Sequence, residues 1–251
     1  MAIRLHHPER HIALVEIANP GRRNALGPED FRALAELWDT LAVQAEVRCI
    51  VVTGEGDRAF CSGAQLDADF GHIADVDALV DQALLKTRLY PKPLVAAVNG
   101  HCVAGGLELM LAADIRVASE SALLGLPEVR WGILPSGGAA MKLIGQIGHA
   151  RAMELMLTGE LVEAHKAAAY GLVNEVVPQQ QVLDRALALA RRISANSPVA
   201  VAKTKESALA GYAQRWAELE PAERDRARHV RAAADVQIGK RAFLAKTDPV
   251  Y

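Results

Sequence analysis

Apolar residues recur along this chain with two periods, and the changes of period predict its elements. His11 to Ala18 reads as a strand that Asn19-Pro20-Gly21 ends with turn chemistry. From Pro28 to Val43, apolar residues at 31, 34, 37, 38 and 41 keep helical spacing, and Pro28, Glu29 and Asp30 suit a first turn. Cys49 to Val52 is then a continuous apolar run, the signature of a buried strand. Thr53 to Gly63 follows as a loop, because Gly54, Gly56 and Gly63 surround Phe60-Cys61-Ser62. Residues 72 to 90 read as a helix stopped by Pro91 and Pro93. Leu94 to Val98 is another buried strand, Gly105 to Ala113 a helix and Ile115 to Ala118 a further strand, so the first half alternates in the βαβ manner.

Beyond Pro135 the helical period dominates. It predicts helices over Ala139 to Ile147, Ala150 to Leu157, Val162 to Tyr170, Val182 to Ser194 and Pro198 to Ala210, with Leu172 to Val177 as the one interrupting strand. The last stretch is a charged helix followed by Lys240 to Lys246. These patterns give an α/β core over residues 1–197 and a C-terminal helical region over 198–251.

Composition narrows the function. A hydrophobic fraction of 51%, rich in Ala and Leu with 4% aromatics, suits a helix-rich α/β protein rather than a disordered one. Lys and Arg total 28 against 30 for Asp and Glu; the net charge of −2 offers no field for nucleic acid or an anionic membrane. Cys49, Cys61 and Cys102 are odd in number and lack CxxC spacing, so neither a disulfide framework nor a zinc site is expected. The N-terminal residues are too polar for a signal peptide, and a cytoplasmic location follows. His6, His7 and His11 are expected at the surface, with no metal site.

The stretch with most chemistry is Asn99-Gly100-His101-Cys102-Val103-Ala104-Gly105-Gly106-Leu107-Glu108, which leaves a buried strand and opens a helix. Adjacent glycines there let the backbone approach a ligand, and the unpaired N–H groups can meet developing negative charge. Glu108, one turn on, could face the same place. The run has neither the Lys-Ser/Thr of a phosphate-binding loop nor GxGxxG. Gly-Gly at a helix start more often serves tight packing, and either glutamate taken alone is more often a solvated carboxylate.

What changes those odds is the ordered set of segments. Arg23-Asn24-Ala25-Leu26, Phe60-Cys61-Ser62-Gly63-Ala64-Gln65-Leu66, Lys92 to Gly100, Leu126-Pro127-Glu128, Gly132-Ile133-Leu134-Pro135, Leu157-Thr158-Gly159 and Ala169 to Val173 together resemble the enoyl-CoA hydratase/isomerase, or crotonase, family over nearly the whole chain. The resemblance implies a crotonase-like ββα core spiral with a C-terminal helical subdomain. It implies that the backbone N–H groups of Ala64 and Gly105 hold a thioester oxygen, that Glu108 activates water and that Glu128 exchanges the C2 proton. Hydration needs two such groups in different protonation states. The chain departs from the family at Gln65, at Ala104 and at Ser136-Gly137-Gly138, positions that bear on acyl preference more than on reaction class.

By the same resemblance coenzyme A lies along Arg22, Arg23 and Ala25 and the segment Ser62, Ala64, Gln65 and Leu66, with Gly105 at the thioester and Trp131 packed near the pocket. No cofactor beyond the CoA of the substrate and no metal are expected. The expected partners are an acyl-CoA thioester and further copies of the chain, as a homotrimer or a dimer of trimers. Isomerisation or dehydration on the same scaffold is the nearest alternative, and a noncatalytic acyl-CoA-binding or RNA-binding relative the more distant one.

Overall fold

The computed structural model describes residues 2–251. Ten strands form two sheets: β1 (Ile3–Glu9), β2 (Ile12–Ile17), β3 (Cys49–Gly54), β4 (Ala59–Cys61), β5 (Leu94–Val98), β6 (His101–Val103), β7 (Ile115–Ser119), β8 (Leu123–Gly125), β9 (Leu161–Glu163) and β10 (Glu175–Val177). The large sheet runs β1-β2-β3-β5-β7-β10 and the small one β4-β6-β8-β9. β1 meets β2 antiparallel, whereas β2, β3, β5, β7 and β10 are parallel.

The runs in β3 and β5 are apolar throughout because both faces of the sheet are covered. Ile50, Val52, Ala96 and Val98 point into the main core, while Cys49, Val51, Val95, Ala97 and Val117 face the other way. There they meet Val182, Ala186, Leu187 and Ala190 of helix α7 (Val182–Ser194). The first helix, α1 (Pro28–Val43), coincides with its predicted span and buries Phe31, Leu34, Trp38 and Leu41. Asp30 ties down its start, accepting the N–H groups of Gly27 and Ala2 at 3.0 and 2.7 Å.

The small sheet is the part that periodicity does not reveal. Each of β3, β5 and β7 continues past its carboxyl end into a three-residue strand, β4, β6 or β8, and then into helical backbone. The helices are α2 (Val76–Leu84) after β4 and α3 (Gly105–Met110) after β6. The turn Pro127–Trp131 follows β8 and leads on to α4 (Ala139–Ile147). This is a ββα unit repeated three times, with β4, β6 and β8 stacked in parallel. Buried amides hold the bends. Asn99 Nδ2 donates to the Gly54 and Gly56 carbonyls at 2.8 and 2.7 Å, and Asn24 Nδ2 to Ala59 at 2.7 Å.

Several boundaries differ from the sequence reading. The helix expected over 72–90 is confined to α2, whose Asp75 caps its start by accepting from Ala78 N. The helix expected from Val162 divides into β9 and α6 (Ala164–Ala169), after α5 (His149–Thr158), because β9 is drawn into the ladder of β8. From Pro198 onward the chain is a single helix α8 (Pro198–Ala232) and then α9 (Ala234–Ala245). Among the described residues no helix is long and apolar enough to cross a membrane.

Candidate active site

The carboxyl ends of the small-sheet strands converge on one place. Ala64 lies just past β4, Gly105 opens α3 after β6, and Glu128 lies in the turn after β8. Steric necessity explains the glycines. A Cβ on Gly106 would drive into the carbonyl of Cys61, so only glycine lets α3 settle against β4. Gly63 has φ of +87°, and a Cβ there would stand 2.8 Å from the Gly105 nitrogen.

The Ala64 and Gly105 backbones are therefore neighbours. A Cβ on Gly105 would lie 3.8 Å from the Ala64 nitrogen. Around them Leu26 N donates to the Gly63 carbonyl and Gln65 N to the Leu26 carbonyl, at 2.8 and 2.9 Å. Among the described residues the N–H groups of Ala64 and Gly105 have no protein acceptor. Two adjacent unpaired donors can hold an oxygen on which negative charge builds.

Strain accompanies this arrangement. Ala104, immediately before Gly105, holds φ +53° and ψ −128°, a region that glycine visits and alanine avoids. Ala104→Gly is expected to stabilise the fold by about 1 kcal/mol while leaving turnover within a few-fold. Denaturant unfolding compared with the native chain checks this; an unchanged or lowered midpoint would contradict the strain.

Glu108 projects from α3 into the protein and is 4% exposed. Its Oε1 accepts the backbone N–H groups of Gly137 and Ala139 at 2.6 and 3.2 Å. A Cβ on Gly137 would press on the ends of the Glu108 and Leu84 side chains and force them to move. Burial pushes the Glu108 carboxyl up to about 7, against the pull of those two donors. Glu128 is also buried, and its Oε2 has no hydrogen-bond partner among the described residues. Burial first, and the charge of Glu108 second, hold Glu128 well above the ordinary carboxylate range. The two differ in kind: Glu108 has donors that favour its anion, and Glu128 has none from other residues.

The segments expected to meet coenzyme A lie side by side, joined by a parallel bridge between Leu26 and Ala64. Arg22 pairs with Asp67 at 2.8 Å and reaches Gln65 Oε1 at 3.3 Å, so its charge is already partnered. Gln65 Nε2 donates to the Ala25 carbonyl and Ser62 Oγ to the Arg22 carbonyl, at 3.3 and 3.4 Å. Arg23 is exposed with left-handed backbone, and Leu66 is half-buried. Trp131 stands edge-on to Phe243 with ring centres 5.1 Å apart, and Gly239 of α9 packs on its backbone. Its ring is thus engaged by the last helix.

The sequence reading missed three contributors: the N–H anchors of Gly137 and Ala139, and Leu84. A Cβ built on Gly105 or on Gly137 would touch Leu84 Cδ1, which makes Leu84 an apolar wall between the paired donors and Glu108. The Gly-Gly at 137–138 was the available signal, since adjacent glycines often mark a close approach. A groove of about 830 Å³ lies elsewhere, walled by Arg116, Lys142, Val201, Tyr212 and Trp216, and neither carboxyl lines it.

The family model for enoyl-CoA hydratase/isomerase matches residues 7–251. The chain belongs to the enoyl-CoA hydratase/isomerase family. Among relatives in this family, an enoyl-CoA hydratase of Mycobacterium tuberculosis is 41% identical over 199 residues, covering 76% of this chain and 74% of that protein. The 2,3-dehydroadipyl-CoA hydratase of Escherichia coli is 33% identical over 253 residues, 97% of this chain and 96% of the relative. The crystal structure of carnitinyl-CoA hydratase from Mycobacterium avium superposes with a TM-score of 0.89 at 33% identity, covering 100% of this chain and 98% of that one. The crotonase fold expected from the sequence is the fold of this family member, including its helical C-terminal region.

Proposed function

We propose that this member of the enoyl-CoA hydratase family adds water reversibly to a 2-enoyl-CoA thioester, with Glu108 and Glu128 as the acid–base pair and the Ala64 and Gly105 N–H groups as the oxyanion hole. The observation that carries this reading is the contrast between two buried carboxyls. One accepts two backbone donors; the other has a buried oxygen without a partner. Glu108 as the carboxylate takes a proton from water as its oxygen bonds to C3. The electron pair of the C2–C3 double bond moves toward the thioester, and the oxygen charge falls between the two N–H groups. Glu128, protonated, delivers its proton to C2. Loss of one oxyanion donor typically costs on the order of 3 kcal/mol in such reactions.

The adenosine and pantetheine portions of coenzyme A follow Arg22, Arg23, Ala25 and the segment Ser62 to Leu66 in this proposal. The bond between Arg22 and Asp67 must then open or share its charge with a phosphate. No cofactor besides the CoA of the substrate has a role in these steps. Three buried, unpaired cysteines suit a reducing compartment, the cytoplasm. Exposed Leu157, Val199 and Tyr212 suit burial between copies, as a trimer or a dimer of trimers.

One purified sample tests the reading. Loss of conjugated absorbance with a 2-enoyl-CoA, and no comparable turnover of a 3-enoyl-CoA, is the expected result. Preference for the 3-enoyl thioester would instead make the chain an isomerase. Light scattering on the same sample is expected to give a multiple of three, and a monomer at all micromolar concentrations would remove the assembly.

A further inference from the structure

Behind Glu108 lies a second set of buried charges. Gly137 abuts the Glu108 carboxyl, and a Cβ on the next residue, Gly138, would stand 3.5 Å from Lys86 Cα and Cγ and 3.7 Å from Lys142 Cε. One dipeptide therefore separates the carboxyl from two lysines that water barely reaches; Lys86 is 4% exposed and Lys142 2%. Lys86 follows Leu85, the left-handed cap of α2. Its ammonium meets Glu223 Oε1 at 3.1 Å and Glu220 Oε1 at 3.6 Å, both on α8. Glu223 is buried, whereas Glu220 also bonds Arg224 at 2.9 Å. Lys142 donates to the Leu85 carbonyl at 2.7 Å and lies 5.0 Å from the ring centre of Trp216.

The charges around Glu108 are thus Glu128, Lys86 just past the cap of α2, Lys142 of α4, and Glu223 of α8, with Glu220 of α8 also reaching Lys86. Arg116, Asp81 and Lys205 act in turn on Lys142, and Arg226 on Glu223. We propose that Lys86 and Glu223 are positioning residues for the reaction, a pair of opposite charges on separate elements behind Glu108 that sets its balance between carboxylate and acid. The proposal rests on the reading of Glu108 as the group that activates water. Glu223 opposes the Glu108 anion and Lys86 favours it. Buried charges that face one another across a dipeptide, at an effective dielectric of ~20–40, move such an ionisation by roughly half to one and a half pH units. The C-terminal helix thereby enters the chemistry through its charge.

Two variants of opposite sign test this. Glu223→Gln removes an anion, so Glu108 ionises more readily and the acid limb of the kcat–pH profile moves down by roughly half a pH unit or more. Lys86→Met removes the cation, and the limb moves up by a similar amount. Lys86→Arg keeps the charge and keeps the limb near its original position. A merely structural pair would lower thermal stability without moving the limb in opposite directions. Carbon-13 NMR titration of the Glu108 carboxyl, assigned against Glu108→Gln, reads the same balance without turnover. Opposite shifts by NMR with an unmoved kinetic limb would uphold the charge pair and remove Glu108 from the rate-determining chemistry. A Glu108 titration unchanged in Glu223→Gln overturns the proposal, and that conservative variant decides the matter even where Lys86→Met fails to fold.

Discussion

Glu108→Gln and Glu128→Gln are each expected to lose at least ~100-fold in the rate of hydration, the lower range for general acid–base groups. Glutamine keeps the shape of each side chain and removes its proton chemistry. The two donors on Glu108 Oε1 can still meet an amide oxygen, so the anchor to Gly137 and Ala139 survives in the first variant. Thioester binding is expected to survive in both, because the proposed backbone donors and the segments proposed to meet CoA are untouched. The double variant should lose far less than the product of the single losses, since the two groups serve one event. In the native enzyme, activity falls as pH drops below about 7, where Glu108 takes up a proton.

The same variants carry a stability signature. In the unfolded chain the Glu128 carboxyl ionises above about 4.5, but the fold holds its proton to well above that value. A raised folded value means that the native protein loses stability as pH climbs from that point. Glu128→Gln escapes this loss, so its melting temperature is expected to exceed the native one at pH 7 and to converge with it near pH 4. Native-level turnover by either single variant would end the two-carboxyl mechanism, and a melting gap independent of pH would contradict the buried neutral acid.

Gly63→Ala is expected to lower kcat/KM by ~100- to 1000-fold, the range for removal of one oxyanion donor, although residue 63 is neither of the two proposed donors. The new methyl would stand 2.8 Å from the Gly105 nitrogen and 3.0 Å from Ala104 Cβ. Something must shift, and what shifts is the spacing of the two donors. Positive φ at Gly63 adds strain of about 1 kcal/mol for alanine, so circular dichroism and melting must accompany the kinetics. Binding of a saturated acyl-CoA, which has no double bond for water to add to, should weaken much less than turnover. A folded variant with turnover near native would show that the Ala64 and Gly105 N–H groups do not act together.

The elements most legible in the sequence were those whose period reflects burial. Helix α1 over Pro28–Val43 and strand β5 over Leu94–Val98 have the predicted bounds, because a helical stripe and an unbroken apolar run each have one simple reading. The strands β4, β6 and β8 were invisible. Each has three residues, too few for an alternation, and each depends on neighbours far away in the chain. The candidate site was legible in another way, through an ordered set of motifs. The motifs pointed to Glu108, Glu128, Ala64 and Gly105 but not to what surrounds them. Leu84, Lys86 and Glu223 come from the end of α2, the residues just past its cap, and α8, which meet the site only after the chain has folded back.

The paired N–H groups beside Gly63 belong to the main chain, and inheritance acts on side chains. No single-residue change other than to proline can delete such a donor directly, whereas almost any change at Arg22, Gln65 or Leu84 can reshape what lies around it. In the proposed mechanism the two donors, unlike Glu108 and Glu128, thus survive most substitutions at their own positions while the side chains around them are free to drift. A descendant of this chain could change the side chains around these two donors many times before it lost either one.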